Sequence, residues 1–208
     1  MIIVDESGSM SVIRKQAFAG MNETLSTVRS IQDQYPDTEQ RVTLVTFDSE
    51  HMKLHYDNAE AKQTENLKWQ AYNPCAATPL YDTIGKSVSK LNAMVDKGDN
   101  VLVTIITDGY ENSSMEWNHE RVFQLVEELK KGNWLFTYIG ANQDALAVAK
   151  GMGIDHSMNF EADMEGTKEM FRKEKKARSA FYTKLSECCE FSRLKSDKFF
   201  IDDEEPNK

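Results

Sequence analysis

No run of about 18 apolar residues occurs in the sequence, so no segment reads as a bilayer-spanning helix. The N-terminus has neither a basic n-region nor a long apolar stretch with a small-residue cleavage site, so no signal peptide is expected and the cytoplasm is the expected location. Cysteine is scarce: Cys75, Cys188 and Cys189 are an odd set, and two of them are adjacent. Such a set predicts thiols in a reducing compartment, not a disulfide framework. Basic charge is also short, with 25 Lys and Arg against 34 Asp and Glu and a formal charge of −9. A domain that grips nucleic acid through its phosphates carries a basic surface, so this balance argues against that class. There are only four prolines and ten glycines, and most of them fall between apolar segments. Neither internal repeats nor low-complexity tracts are present.

What remains is an ordinary globular composition, 40% hydrophobic and 28% charged in 208 residues. A chain of this size buries roughly 70% of its unfolded surface and forms one domain with a proper core, expected as a monomer. Strand-like and helix-like stretches alternate. MIIV at 1–4, RVTLVTF at 41–47, HMKLHY at 51–56, VLVTIIT at 101–107, WLFTYI at 134–139 and a weak segment at 156–160 read as strands. VLVTIIT is nearly continuous in its apolar character, as expected of a strand buried on both faces of a parallel sheet. HMKLHY alternates and reads as an edge strand pairing back on 41–47.

Between the strands, apolar residues recur at helical spacing. Phe18, Met21, Leu25 and Val28 mark a helix over 12–32. Ile84, Val88, Leu91 and Val95 mark one that starts at Pro79, and Val122, Leu125, Val126 and Leu129 one over 118–131. A short helix is expected at 143–152 and a long one at 164–189. Strands separated by helices imply βαβ units. The expected fold class is therefore α/β: a doubly wound, mainly parallel six-stranded sheet with one antiparallel edge strand and helices on both faces. Residues 1–190 would form the domain and 191–208 an acidic tail around Asp202-Asp203-Glu204-Glu205.

In such sheets ligands bind outside the carboxyl ends of the strands. Two segments at that edge carry small oxygen-bearing side chains: Asp5-Glu6-Ser7-Gly8-Ser9 after the first strand and Thr107-Asp108-Gly109 after the strongest. A third, Cys75-Ala76-Ala77-Thr78-Pro79, precedes a helix. Each taken alone is a helix cap or a turn. Together they make a hard-cation site, since Mg²⁺ takes an octahedron of oxygens and keeps some waters. Asp5 and Asp108 supply charge, while Ser7, Ser9 and Thr78 supply neutral hydroxyls. Two carboxylates leave the ion electrophilic enough to accept one more from outside.

These residues carry a family resemblance. The chain resembles the von Willebrand factor A (vWA) domains over about residues 1–190. Their metal-ion-dependent adhesion site is a D-x-S-x-S loop, here Asp5, Ser7 and Ser9, with a Thr in a second loop, here Thr78, and an Asp in a third, here Asp108. The stretch Thr78-Pro79-Leu80-Tyr81-Asp82 looks like the microbial members. Cys75-Ala76-Ala77 stands where many relatives have glycines, and only four residues precede Asp5. The resemblance implies a Rossmann-like vWA fold and a site for Mg²⁺, with Mn²⁺ or Ca²⁺ as alternatives. It also implies a partner protein that donates Asp or Glu to the metal, and no catalysis.

The alternative is a Mg²⁺-dependent phosphatase of the haloacid dehalogenase type, which also places Asp after the first strand. That chemistry needs a second acid two residues on, where this chain has Ser7, a hydroxyl that cannot act as a general acid near neutral pH. A serine hydrolase lacks its G-x-S-x-G, and a receiver domain leaves both serines and Thr78 unexplained. His51 and His55 read as edge-strand residues, and Cys75 as a bystander near the second loop. Cys188 and Cys189 read as packing residues at the end of the last helix. The Lys- and Arg-rich helix from 165 reads as a solvated face.

Overall fold

The structure, a computed structural model, describes residues 1–141, 144–187 and 190–200. Cys188, Cys189 and the acidic run 202–205 lie outside the described residues. Six strands form one sheet: β1 (Ile2–Asp5), β2 (Arg41–Phe47), β3 (Met52–Glu60), β4 (Val101–Thr107), β5 (Trp134–Ala141) and β6 (His156–Phe160). Their order is β3-β2-β1-β4-β5-β6. Every pairing is parallel except β2 with β3. The helices are α1 (Arg14–Gln34), α2 (Leu80–Asn92), α3 (His119–Leu129), α4 (Ala145–Gly151), α5 (Met164–Ser186) and α6 (Phe191–Ser196). This is the doubly wound α/β fold expected from the alternation of patterns. Among the described residues no helix is long and apolar enough to cross a membrane.

The two faces of the sheet follow the two-residue alternation of strand side chains. Ile3, Val103, Ile105, Phe136 and Tyr138 point toward α2, α3 and α4 and share one core with Ile84, Val88, Val122 and Val126. Ile2, Val4, Leu44, Ile106 and Ile139 face the other way and pack on Met21, Leu25 and Val28 of α1 and on Phe171 of α5. Because both faces are covered, β1, β4 and β5 are buried throughout. β3 alternates between exposed and half-buried positions, as an edge strand should.

Element ends follow local chemistry. Asn118, Asp144 and Asp163 cap α3, α4 and α5 by accepting the backbone N–H of Arg121, Ala147 and Gly166, which satisfies donors that the first helical turn leaves unpaired. α1 starts later than the periodicity suggests because a 3-10 turn, Gly8–Ile13, precedes it. β3 runs on to Glu60 through Asn58, which has a positive φ of 49°.

Two sequence expectations are corrected. First, packing continues past residue 190. Phe191, Leu194 and Phe199 are buried with Leu102, Leu135 and Phe181, and the Lys195 ammonium donates to the carbonyls of Lys130 and Gly132 at 2.8 and 2.7 Å. Second, α5 is not solvated at all its charged positions. Glu174 and Arg178 are buried; Arg178 Nε donates to Glu174 Oε1 at 2.7 Å and its Nη2 to Thr104 Oγ1 of β4 at 2.9 Å. The remaining charges of α5 fit the expectation, for example the exposed pairs Arg172–Glu169 and Lys175–Glu23, which contribute little to stability.

The buried pair gives a test of this packing. Arg178→Met leaves Glu174 buried without a counter-charge and should cost about 3 kcal/mol in urea unfolding. Adding Glu174→Leu should recover most of that loss. A single variant that unfolds like the parent contradicts the burial of this pair.

Candidate metal centre

The sheet order reverses between β1 and β4, so the carboxyl ends of those strands open a crevice where loops diverge to opposite sides. Asp5, the last residue of β1, sits in it with no solvent exposure. Both carboxylate oxygens are engaged. Oδ1 accepts the backbone N–H of Ser7 at 2.7 Å, and Oδ2 accepts the hydroxyl of Thr107 at 2.6 Å. Ser7 Oγ lies 3.2 Å from Ser9 Oγ, and Ser9 Oγ donates to Asp108 Oδ1 at 2.6 Å. The side chains of Asp5, Ser7, Ser9 and Asp108 thus form one connected group.

Thr78 is buried and joins this group across Gly109. A Cβ built on Gly109 would stand 3.2 Å from Thr78 Oγ1, 3.7 Å from Ser9 Oγ and 3.8 Å from Asp5 Oδ2. Three oxygens, two from the loop after β1 and one from the second loop, therefore converge on a point beside the third loop that the absence of a side chain at position 109 leaves open. All five residues singled out in the sequence are brought to one place.

The second loop is stitched to the first. Gly8 N–H donates to Ala76 O at 3.1 Å and Cys75 N–H to Glu6 O at 2.9 Å. Ser49 ties the loop to the turn after β2 through Ala77, with its N–H on Ala77 O and its hydroxyl accepting Ala77 N–H, both at 3.0 Å. Ala76 adopts φ 56°, a left-handed conformation that glycine takes without strain and alanine does not. This is the stretch where the resemblance would have glycines.

Several residues that hold the site were not singled out in the sequence. Thr107 orients the Asp5 carboxylate; its place between strand and Asp108 is the only signal for it. Tyr72 is fully buried, and its hydroxyl donates to the Asp5 carbonyl at 2.8 Å; nothing in the irregular segment 57–78 marks it. Glu6 is also buried, with Oε1 accepting from Lys53 Nζ at 2.7 Å and Asn73 N–H at 2.5 Å, while Oε2 has no partner among the described residues.

The histidines play no part in this site. His55 Nε2 meets Thr46 Oγ1 at 2.8 Å, His51 is exposed, and His156 Nε2 faces Lys195 O at 3.1 Å. Cys75 Sγ donates to Asp48 Oδ2 at 3.3 Å, and that carboxylate raises the thiol's pKa and keeps it protonated. Among the described residues no three His, Cys, Asp or Glu side chains gather, so any ion held here depends on hydroxyls.

Burial makes the two carboxylates costly as anions. It pushes the Asp5 carboxyl up to about 6 from 3.8, against the lowering effect of its hydrogen bonds from Thr107 and Ser7. It also raises Asp108, with the Ser9 hydroxyl opposing. Two desolvated carboxylates among hydroxyl oxygens match the charge and hardness of a divalent cation such as Mg²⁺. The residues fit that group.

No protein-family model matches the chain, and no curated protein matches its sequence. Solved structures do match. The chain is similar to the VWA domain of SpRpn10, with a TM-score of 0.56 and 14% identity over 82% of this chain and 91% of that one. It is also similar to proximal thread matrix protein 1 from the mussel byssus, with a TM-score of 0.56 and 14% identity over 82% of this chain. The match spans 43% of that longer protein. At these identities the likeness establishes the fold: a six-stranded sheet with five parallel strands and one antiparallel, of the vWA type.

The convergence at position 109 is directly testable. Gly109→Ala places a methyl group within 3.2 Å of Thr78 Oγ1 and should lower Mg²⁺ affinity at least about tenfold while the far-ultraviolet dichroism stays unchanged. Parent-like affinity in this variant would show that the three oxygens do not act on a common point.

Proposed function

We propose that the chain is a metal-dependent protein-binding module. Asp5, Ser7, Ser9, Thr78 and Asp108 would hold a divalent cation, with Mg²⁺ favoured and Mn²⁺ or Ca²⁺ as alternatives. The observation that carries this reading is the meeting of Asp5 Oδ2, Ser9 Oγ and Thr78 Oγ1 around the bare face of Gly109. The vWA fold supports it, because the site lies at the edge where this architecture binds ligands.

The donor set explains what such a site would capture. Two carboxylates balance a 2+ ion, and hydroxyls add no charge. The bound cation supplies an electrophilic point for an Asp or Glu side chain of a partner protein. The chain's own residues do the rest. Thr107 and the Ser7 amide orient Asp5, Ser9 orients Asp108, and the stitched second loop presents Thr78. No feature of the geometry favours the phosphatase alternative. The position where that chemistry needs a second acid holds the Ser7 hydroxyl, which is engaged with Ser9.

Asp5→Ala and Asp108→Ala should each abolish Mg²⁺ binding in calorimetry with the fold retained. Unaltered binding in both variants would refute the site. The pH dependence has a defined sign. Asp5 titrates near 6 when folded and near 3.8 otherwise, so its contribution to metal-free stability is full below 3.8 and is lost as pH rises through 6. At pH 7 in chelator, Asp5→Asn should therefore stabilise the protein by about 2–3 kcal/mol. Mg²⁺ must displace the same proton, so the parent's affinity should fall about tenfold per pH unit below 6. A pH-independent affinity between 5 and 7 would contradict the involvement of Asp5.

A further inference from the structure

The loop after β4 is held more heavily than the other two, and most of the groups that hold it lie outside the donor set. Residues 108–118 fold back over the first turn of α2. Glu111 Oε1 accepts the N–H groups of Ser113 and Ser114 at 2.8 and 2.7 Å. Its Oε2 accepts the Ser114 hydroxyl at 2.6 Å and the Tyr81 N–H of α2 at 2.9 Å. Asp82 reaches back from α2: Oδ1 accepts Glu116 and Trp117 N–H at 2.9 and 2.6 Å, and Oδ2 accepts Met115 N–H at 3.1 Å. The Trp117 ring then lies flush on Gly85, where a Cβ would come within 2.0 Å of it.

Within this clamp, Asn112 makes a two-point contact with a donor residue on the other loop. Its Oδ1 accepts the Thr78 N–H at 2.8 Å, and its own N–H donates to the Thr78 carbonyl at 3.2 Å. Thr78 belongs to the second loop and Asn112 to the loop of Asp108, so one residue brackets the Thr78 peptide and fixes it to the loop that carries the second carboxylate.

We propose that Asn112 is the positioning residue for Thr78 in the cation site, with Asp82 and Glu111 holding Asn112 in place. This rests on the reading of the five residues as a cation site. The physical reason is that a hydroxyl brings no charge, so its contribution depends on where it is held. Mg²⁺ demands near-ideal octahedral geometry, whereas Ca²⁺ tolerates looser and larger shells. Loss of the bracket should therefore weaken Mg²⁺ more than Ca²⁺, which a general loss of stability would not do.

The test is calorimetric titration of the chain with Mg²⁺ alone and with Ca²⁺ alone. Asn112 is exposed, so Asn112→Leu, which keeps the size and removes the accepting oxygen, leaves the core intact. It should lower Mg²⁺ affinity about tenfold and reduce the Mg²⁺-to-Ca²⁺ affinity ratio. Asn112→Asp keeps an accepting oxygen and should bind Mg²⁺ at least as well as the parent. If Asn112 acts through Thr78, Thr78→Ala with Asn112→Leu should bind no more weakly than Thr78→Ala alone. Parent-like affinity in Asn112→Leu, equal weakening by Asp and Leu, or additive losses in the double variant would overturn the proposal. If the parent binds no Mg²⁺, or Thr78→Ala leaves its affinity unchanged, the cation site itself fails, and Asn112 has nothing to position.

Discussion

The structure turns on a single buried carboxylate. Asp5 ends the short strand β1 between β2 and β4, at the place where the sheet order reverses, and has no contact with solvent. An anion in that position is costly unless hydrogen bonds and a counter-charge offset its desolvation. Thr107 and the Ser7 amide supply the bonds. Among the described residues no Lys or Arg takes the place of the counter-charge: the ammonium of Lys53 goes to Glu6 and the guanidinium of Arg14 to the Tyr72 carbonyl. Burial therefore outweighs those hydrogen bonds and lifts the Asp5 carboxyl to about 6.

The surroundings keep that arrangement fixed. The three loops are bound to one another, and to the turn after β2, by main-chain and side-chain contacts: Glu6 and Gly8 to the 73–76 segment, Ser49 to Ala77, Asn112 to Thr78. Preorganisation of this sort matters most for neutral ligands, whose contribution vanishes when they are misplaced. Alanine at position 76 shows the same priority, since the loop keeps a left-handed turn with a residue that disfavours it.

Much of this was legible in the sequence, and the exceptions have physical causes. Buried parallel strands read as apolar runs, so β4 and β5 were plain, and the five candidate residues, which the structure brings together, stood out because their types and order match one motif. α6 was hidden by its length: Phe191 and Leu194 give a single turn of periodicity, too little to separate from a tail. Glu174 and Arg178 were hidden because charge normally signals solvent; their burial rests on their mutual pairing and on the Arg178 bond to Thr104 of β4. Tyr72 and Asn112 were invisible for a different reason. Each acts on the backbone of a residue far away in sequence, and no local pattern encodes such a contact.

The central claim is that one divalent cation binds where the loops after β1 and β4 meet Thr78. Paramagnetic broadening of backbone amide resonances by substoichiometric Mn²⁺ tests it most directly. Signals of residues 5–9, 78 and 107–109 should broaden first, and excess Mg²⁺ should restore them. Broadening that centres on another acidic surface, or that Mg²⁺ does not reverse, would contradict the account.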